Sequence, residues 1–102
     1  ILTRANDSKI STVEGQVRDA VALAVSDYRV EVYTNSNPSI TASNIIDEVQ
    51  ETMGDKYTVT VDGSNAQQFT VTTKSGETSD LGDKTITVVI AATGAITSLT
   101  TN

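Results

Sequence analysis

The acidic, glycine-containing stretch from Glu77 to Asp83 is the part of the sequence that comes closest to a chemical site. Glu77, Asp80 and Asp83 offer carboxylate oxygens, which are ligands that Ca²⁺ prefers. Their spacing is not that of an EF-hand loop, and Asp and Gly are also common in ordinary turns. These three residues are therefore weak calcium candidates, and the sequence predicts no other metal site and no cofactor.

The residue types that most often carry catalysis do not occur in this sequence. The chain of 102 residues has no Cys and no His, which removes thiolate chemistry, disulfides and the commonest general base. A Ser or Thr nucleophile would need a Lys or a carboxylate as its base. The four lysines stand in polar stretches, where an ammonium group keeps its proton. We therefore predict no catalytic residue and no enzyme activity.

The charge balance argues against several partners. Seven Lys and Arg residues against 13 Asp and Glu give a net charge of −6, so the chain has no basic surface for nucleic acid. No apolar run approaches the roughly 18 residues that span a bilayer. Asp47, Glu48 and Glu51 make one stretch acidic, and we interpret them as the solvated face of a short helix.

The apolar residues of positions 1–34 recur at steps of three and four, which predicts one long α-helix. At 1.5 Å per residue it would be about 50 Å long, more than the roughly 30–35 Å that a compact domain of this size covers. Large apolar residues become frequent only from Ile10 onward. We therefore expect the N-terminal end to project and the later turns to pack under a sheet. The predicted packing face is Ile10, Val13, Val17, Ala20, Ala24 and Tyr28.

Residues 35–56 read as a loop that carries a short helix. Asn44 is its predicted N-cap, with Asp47 as the capping partner three residues later, and Gly54 is its predicted stop. The predicted apolar stripe of this helix is Ile46, Val49 and Met53.

From Tyr57 the apolar period changes to two, which predicts β-strands over residues 57–102. Four strands are expected, at 57–61, 69–73, 85–91 and 95–99, with a tail that frays after Leu99. The predicted fold class is α+β. One domain, residues 1–102, would pack a long N-terminal helix against a four-stranded antiparallel meander, with the short helix in the connecting loop.

This order of elements resembles the type IV pilin and pseudopilin family, and several stretches agree with it. Leu2-Thr3-Arg4-Ala5 and Val13 to Tyr28 resemble the part of a pilin helix that follows its membrane-spanning segment. Tyr33 with Asn35-Ser36-Asn37-Pro38 is similar to the family's exit from that helix. Ile86 to Ser98, with a Thr93-Gly94 turn, is similar to its closing hairpin. The family's processing site would lie upstream of Ile1.

The resemblance implies a structural subunit of a surface filament. Its partners would be other copies of itself, in a helical polymer, and the pilus assembly machinery. A membrane would be contacted only through an apolar helix segment preceding Ile1, which anchors the subunit before assembly. The chain as given would be monomeric. Arg4, Lys9, Glu14 and Arg18 are the candidate contacts between subunits.

Departures from the family keep alternatives open. The lack of Cys favours a Gram-positive major pilin or a pseudopilin over pilins with a C-terminal disulfide loop. A pseudopilin of a type II secretion or competence machine has the same layout. A secreted cystatin-like binding module also wraps a helix in antiparallel strands, although this chain has no Gln-Val-Val-Ala-Gly-type hairpin. The task of the filament, whether motility, adhesion or DNA uptake, is left open.

Overall fold

A computed structural model describes the backbone of residues 2–31 and 39–102, with side chains from Ser8 onward in the first range. The predicted helix end near residue 34 and the exit segment Tyr33 to Pro38 lie outside these residues. The elements are α1 (Leu2–Glu31), α2 (Ala42–Met53), β1 (Tyr57–Val61), β2 (Gln68–Thr73), β3 (Ile86–Ile90) and β4 (Ile96–Thr101). The strands form one antiparallel sheet in the order β1-β2-β3-β4. The predicted α+β arrangement of long helix, short helix and four-stranded meander is confirmed.

The core lies between the sheet and the two helices. Val59 pairs with Val71, and Val71 pairs with Ile86, so these side chains point to the same face of the sheet. All three belong to the buried cluster that α1, α2 and the sheet share. The alternation of apolar and Thr residues in the strands is therefore the alternation of core and outer face.

The apolar face of α1 is wider than the one predicted. Val13, Val17, Ala20 and Ala24 are buried, while Ile10 and Tyr28 are partly buried and pack against the core. Val21 is also buried, although it was not in the predicted set. The face is wide because α1 packs against α2 as well as lying under the sheet. Within the two described ranges, no helix is long and apolar enough to cross a membrane.

The start of α2 differs from the prediction. Thr41, not Asn44, is the N-cap, with extended backbone angles (φ −111°, ψ 167°). Asn44 is instead the third residue of the helix, where its Oδ1 accepts a hydrogen bond of 2.8 Å from the Thr41 N–H. Ala42 is buried, and its N–H donates to the carbonyl of Ala66, so tertiary contacts fix the earlier start. Asp47 is therefore not the capping partner.

The buried stripe of α2 consequently includes a residue that was not predicted. Ile45 is buried together with Val49, whereas Ile46 and Met53 are only partly buried. The helix ends as predicted at Gly54, whose φ is 91°. That conformation suits Gly because it has no Cβ.

The end of the chain is paired, so the predicted fraying after Leu99 is wrong. Thr100 and Thr101 pair with Thr87 and Ile86 of β3. Beyond them, Asn102 and Thr85 exchange two backbone hydrogen bonds of 2.9 and 3.0 Å. The tail is held because its polar sequence still supplies a full set of backbone donors and acceptors to the neighbouring strand.

Candidate functional site

The four candidate subunit contacts on α1 do not form one surface. Lys9 and Arg18 are exposed, and nine residues, or two and a half turns, place them on opposite sides of the helix. Glu14 is half-buried, and its Oε2 accepts a hydrogen bond of 2.6 Å from Thr101 Oγ1 of the same chain. The side chain of Arg4 lies outside the described residues. Glu14 thus has a contact within its own chain that the sequence did not predict.

The calcium candidates are spread over an exposed loop. Glu77, Asp80 and Asp83 are all exposed. Among the residues whose side chains the structure describes, no three acidic groups come together in a way that could hold a metal ion. The three carboxylates therefore form no ligand set in this conformation.

Hydroxyl groups and one apolar anchor hold this loop in place instead. Thr73 Oγ1 donates to the carbonyl of Gly82 at 2.7 Å, and lies 2.7 Å from Ser79 Oγ. Ser79 Oγ in turn accepts a hydrogen bond of 3.1 Å from the N–H of Leu81. The Leu81 side chain is buried in the core. The carboxylates of Glu77, Asp80 and Asp83 take no part in these hydrogen bonds.

One groove lies where α1, the end of α2, the start of β1 and the loop after β2 meet. Its volume is about 760 Å³, and its charged lining residues are Asp19, Lys56 and Asp80. Met53 and Tyr57 form its apolar part. Sequence patterns could not predict this groove, because its walls come from four separate elements. Its mixed lining can make hydrogen bonds and ion pairs, but no nucleophile and base are paired in it.

A second groove, between α1 and α2, is strongly acidic. Five carboxylates line it: Asp27 and Glu31 from α1, and Asp47, Glu48 and Glu51 from α2. None of the described residues that line it is Lys or Arg. The carboxylates on α2 were predicted as a solvated face, and Asp47 and Glu51 are indeed exposed. Glu48 is different, because it turns toward α1.

The carboxyl group of Glu48 is in an unfavourable position for a charge. Its Oε2 is shielded from solvent and has no hydrogen-bond partner among the described residues. The carboxyl of Asp27 lies beside it, and sharing a proton with that group raises the pKa of Glu48. Burial and the charges of Asp27, Glu51 and Glu31 raise the pKa further. No sequence signal could reveal this, because it depends on how closely the two helices approach.

The two edge strands of the sheet, β1 and β4, differ in whether a side chain pairs with their outer backbone groups. On the β1 edge, the Gln50 side chain of α2 donates to the carbonyl of Tyr57 at 2.7 Å and accepts from the N–H of Val59 at 2.9 Å. One amide group therefore satisfies the backbone as a neighbouring strand would. On the β4 edge, none of the described residues plays this part.

The pattern of hydrogen bonds between β3 and β4 shows which backbone N–H and C=O groups of β4 point away from the sheet. Because Thr85 and Asn102 exchange two hydrogen bonds, and bonded and non-bonded pairs alternate in an antiparallel ladder, Thr100 faces β3 with its backbone groups. Leu99 and Thr101 then direct their N–H and C=O groups away from the sheet. A bulge at Thr97 ends the regular part of this edge.

Comparison with protein-family models, with curated protein sequences and with solved structures found no match to this chain. Function therefore has to be inferred from the residues and geometry of the chain itself.

Proposed function

We propose that this chain is the globular part of a type IV pilin-like subunit that polymerises into a filament on the cell surface. The proposal rests on the sequence resemblance given above together with the order of the elements. A long helix, a connection with a short helix, and a four-stranded antiparallel meander follow one another along the chain.

The length of α1 relative to its sheet is the observation that carries the proposal. Its 30 residues span about 45 Å. The strands have five or six residues each, or roughly 17–20 Å. Among the side chains of α1 that the structure describes, the fully buried ones run from Val13 to Ala24, with Ile10 and Tyr28 partly buried at either end. A helix that serves only to cover this sheet has no use for such length, whereas a filament subunit uses it to contact other copies.

Two exposed apolar residues support the same role. Leu23 and Val30 are 49% and 73% exposed, and they are the large apolar side chains that the described part of the chain leaves most open to solvent. They are seven residues apart, so they lie on the same side of α1. This side faces away from the core. We assign it to a contact with another copy, of the head-to-tail kind that builds an open helical polymer.

The partners and location follow from this role. Other copies of the chain and an assembly machinery would be its partners, and the finished filament would lie outside the cell. Before assembly the subunit would be held in the membrane by an apolar helix encoded upstream of Ile1.

The direct test is to label the source cells with antibodies raised against this chain and to examine them by electron microscopy. Filaments labelled along their length would support the proposal. A pseudopilin would leave the surface bare, while deletion of its gene would abolish secretion or DNA uptake. Protein found only as a released monomer, with a cleavable signal peptide encoded just before Ile1, would contradict it and favour a secreted cystatin-like binding module.

A further inference from the structure

We propose that the β4 edges of two copies pair antiparallel, with Thr100 of one copy opposite Thr100 of the other, to give a continuous eight-stranded sheet. This inference is independent of the filament proposal, because it needs only the globular part of the chain. It concerns a two-fold contact, whereas a polymer is built from head-to-tail contacts.

The β4 edge lacks the features that usually prevent edge pairing. Natural sheets protect their edges with charged residues, Pro, bulges or a covering element. Residues 96–102, ITSLTTN, contain no charged residue and no Pro. The one bulge, at Thr97, leaves Ser98 to Thr101 in regular pairing with β3. A strand of this kind is open to pairing with another strand.

A second copy is the occupant that fits best. On the β1 edge Gln50 already pairs with the carbonyl of Tyr57 and the N–H of Val59, so β4 is the more open edge among the residues that the structure describes. Residues 96–102 carry no charge, so no like charges within β4 itself oppose each other, although each chain has a net charge of −6. The carboxylate beside this edge is that of Glu14, which accepts a hydrogen bond from Thr101 Oγ1.

The register follows from the free backbone groups. Leu99 and Thr101 of one copy can each exchange two hydrogen bonds with Thr101 and Leu99 of the other, which gives four bonds. In this register the two Thr100 residues form a directly opposed, non-hydrogen-bonded pair on the two-fold axis.

Side-chain direction agrees with this register. Leu99 and Thr101 pair with Val88 and Ile86, which are buried, so both lie on the inner face. Pairing Leu99 with Thr101 of the second copy therefore joins inner face to inner face. It also covers Leu99, which is only half-buried in the single chain. The contact area is small, so the expected dissociation constant is about 10 µM to 1 mM.

The test uses the fact that the chain contains no Cys. In a Thr100→Cys variant, the two introduced thiols would face each other across the two-fold axis. Their Cα atoms would be about 4.5 Å apart, which is within the range for a disulfide. We expect a covalent dimer on mild oxidation with glutathione disulfide. Two matched controls, Ser98→Cys and Thr58→Cys, place exposed thiols on the same outer face of β4 and on β1. Neither should form a covalent dimer, because residue 98 faces residue 102 of the other copy and residue 58 lies on β1, away from the paired edge.

A second measurement does not depend on cross-linking. Sedimentation equilibrium should show a monomer–dimer equilibrium for the unmodified chain, and Thr100→Lys should weaken it about two- to fivefold by opposing like charges. Thr58→Lys makes the same change in net charge and should have no effect. Mixing Thr100→Lys with Thr100→Glu should restore the dimer. Equal cross-linking of all three Cys variants, or a chain that stays monomeric up to about 1 mM, would overturn the proposal.

Discussion

At the scale of single residues, Gly94 is held by two constraints. Its φ is 92°, a conformation that side chains with a Cβ rarely adopt, and a Cβ at this position would lie 2.6 Å from Val25 Cγ1. Val is stiff at χ1, so its methyl groups cannot easily move aside. The Thr93 carbonyl beside this turn also accepts a hydrogen bond from the Arg29 guanidinium. The turn between β3 and β4 is thus closely fitted against α1.

We therefore expect Gly94→Ala to lower the free energy of unfolding by about 2–4 kcal/mol, the sum of backbone strain and overpacking. Gly76→Ala is the matched control, because Gly76 has a similar φ of 88° but nothing within 4 Å of its Cβ position. It should cost only the strain, about 1–2 kcal/mol. Urea denaturation of the two variants measures both values. Equal losses would mean that the contact with Val25 is unimportant.

The carboxyl group of Glu48 should make the stability of the folded chain depend on pH. Because its pKa is raised in the folded chain, the folded state binds this proton more tightly than the unfolded state does. The free-energy cost of keeping an ionised Glu48 in the folded chain is therefore complete above its pKa in the folded state. This cost disappears as the pH falls from that pKa toward the pKa of Glu48 in the unfolded chain. Lowering the pH from neutrality should thus relieve repulsion between α1 and α2.

Glu48→Gln removes the charge but keeps the shape, and its amide can donate to the carboxyl of Asp27. We expect the Tm to rise at about pH 7.5 and to change much less at about pH 4, where the raised pKa favours the protonated form of Glu48. Asp83→Asn, an exposed carboxylate far along the chain, is the control and should change little at either pH. A gain that is the same at both pH values would show that the repulsion is not the cause.

At the scale of elements, α2 does more than connect the long helix to the sheet. Gln50 reaches from α2 to the edge of β1, so the helix stands in the place of a fifth strand. Loss of this amide would leave a partly buried N–H and a carbonyl without partners, which costs more than the hydrogen bonds themselves.

Gln50→Ala should therefore lower the free energy of unfolding by about 1–3 kcal/mol and speed hydrogen exchange at the Val59 amide. Thr52→Ser, at an exposed and uncharged position of the same helix, should change neither. Gln50→Ala should also aggregate more readily than the unmodified chain, because it exposes backbone groups on the β1 edge. Unchanged exchange at Val59 would mean that Gln50 does not protect this edge in solution.

The elements themselves could be predicted because each carries its own period. The steps of three and four in α1 and the alternation in β1 need no tertiary knowledge. The start of α2 could not be predicted in the same way, because Thr41 and Asn44 are both good N-cap residues and only the contact of Ala42 with Ala66 decides between them.

The candidate sites depended even more on tertiary contacts. The pairing of Thr100 and Thr101 depends on register, which the polar tail does not reveal. The environment of Glu48 depends on the packing of α1 against α2. Local patterns report what one element buries, and they carry little information on which side chains two elements bring together.

At the scale of the whole molecule, the proposed filament role can be tested on the surface of the long helix. The principal extents are 50 × 25 × 25 Å, and the long helix accounts for the long dimension. Leu23 and Val30 on its outer side are exposed and lie outside the core, so the proposed filament role assigns them to contacts with other copies. Stability and assembly can therefore be separated by mutation.

The double variant Leu23→Asn, Val30→Asn should reduce filament formation in cells that express the full-length protein. Its free energy of unfolding should stay within about 0.5 kcal/mol of the unmodified chain, because both side chains are exposed. Thr60→Asn, on the outer face of the sheet, is the control and should leave filaments intact. Normal filaments from the double variant would exclude Leu23 and Val30 from the subunit contact. A large loss of stability would mean instead that Leu23 and Val30 stabilise the fold of the single chain. They could not then be assigned to the subunit contact, because that contact needs side chains that the single chain leaves exposed.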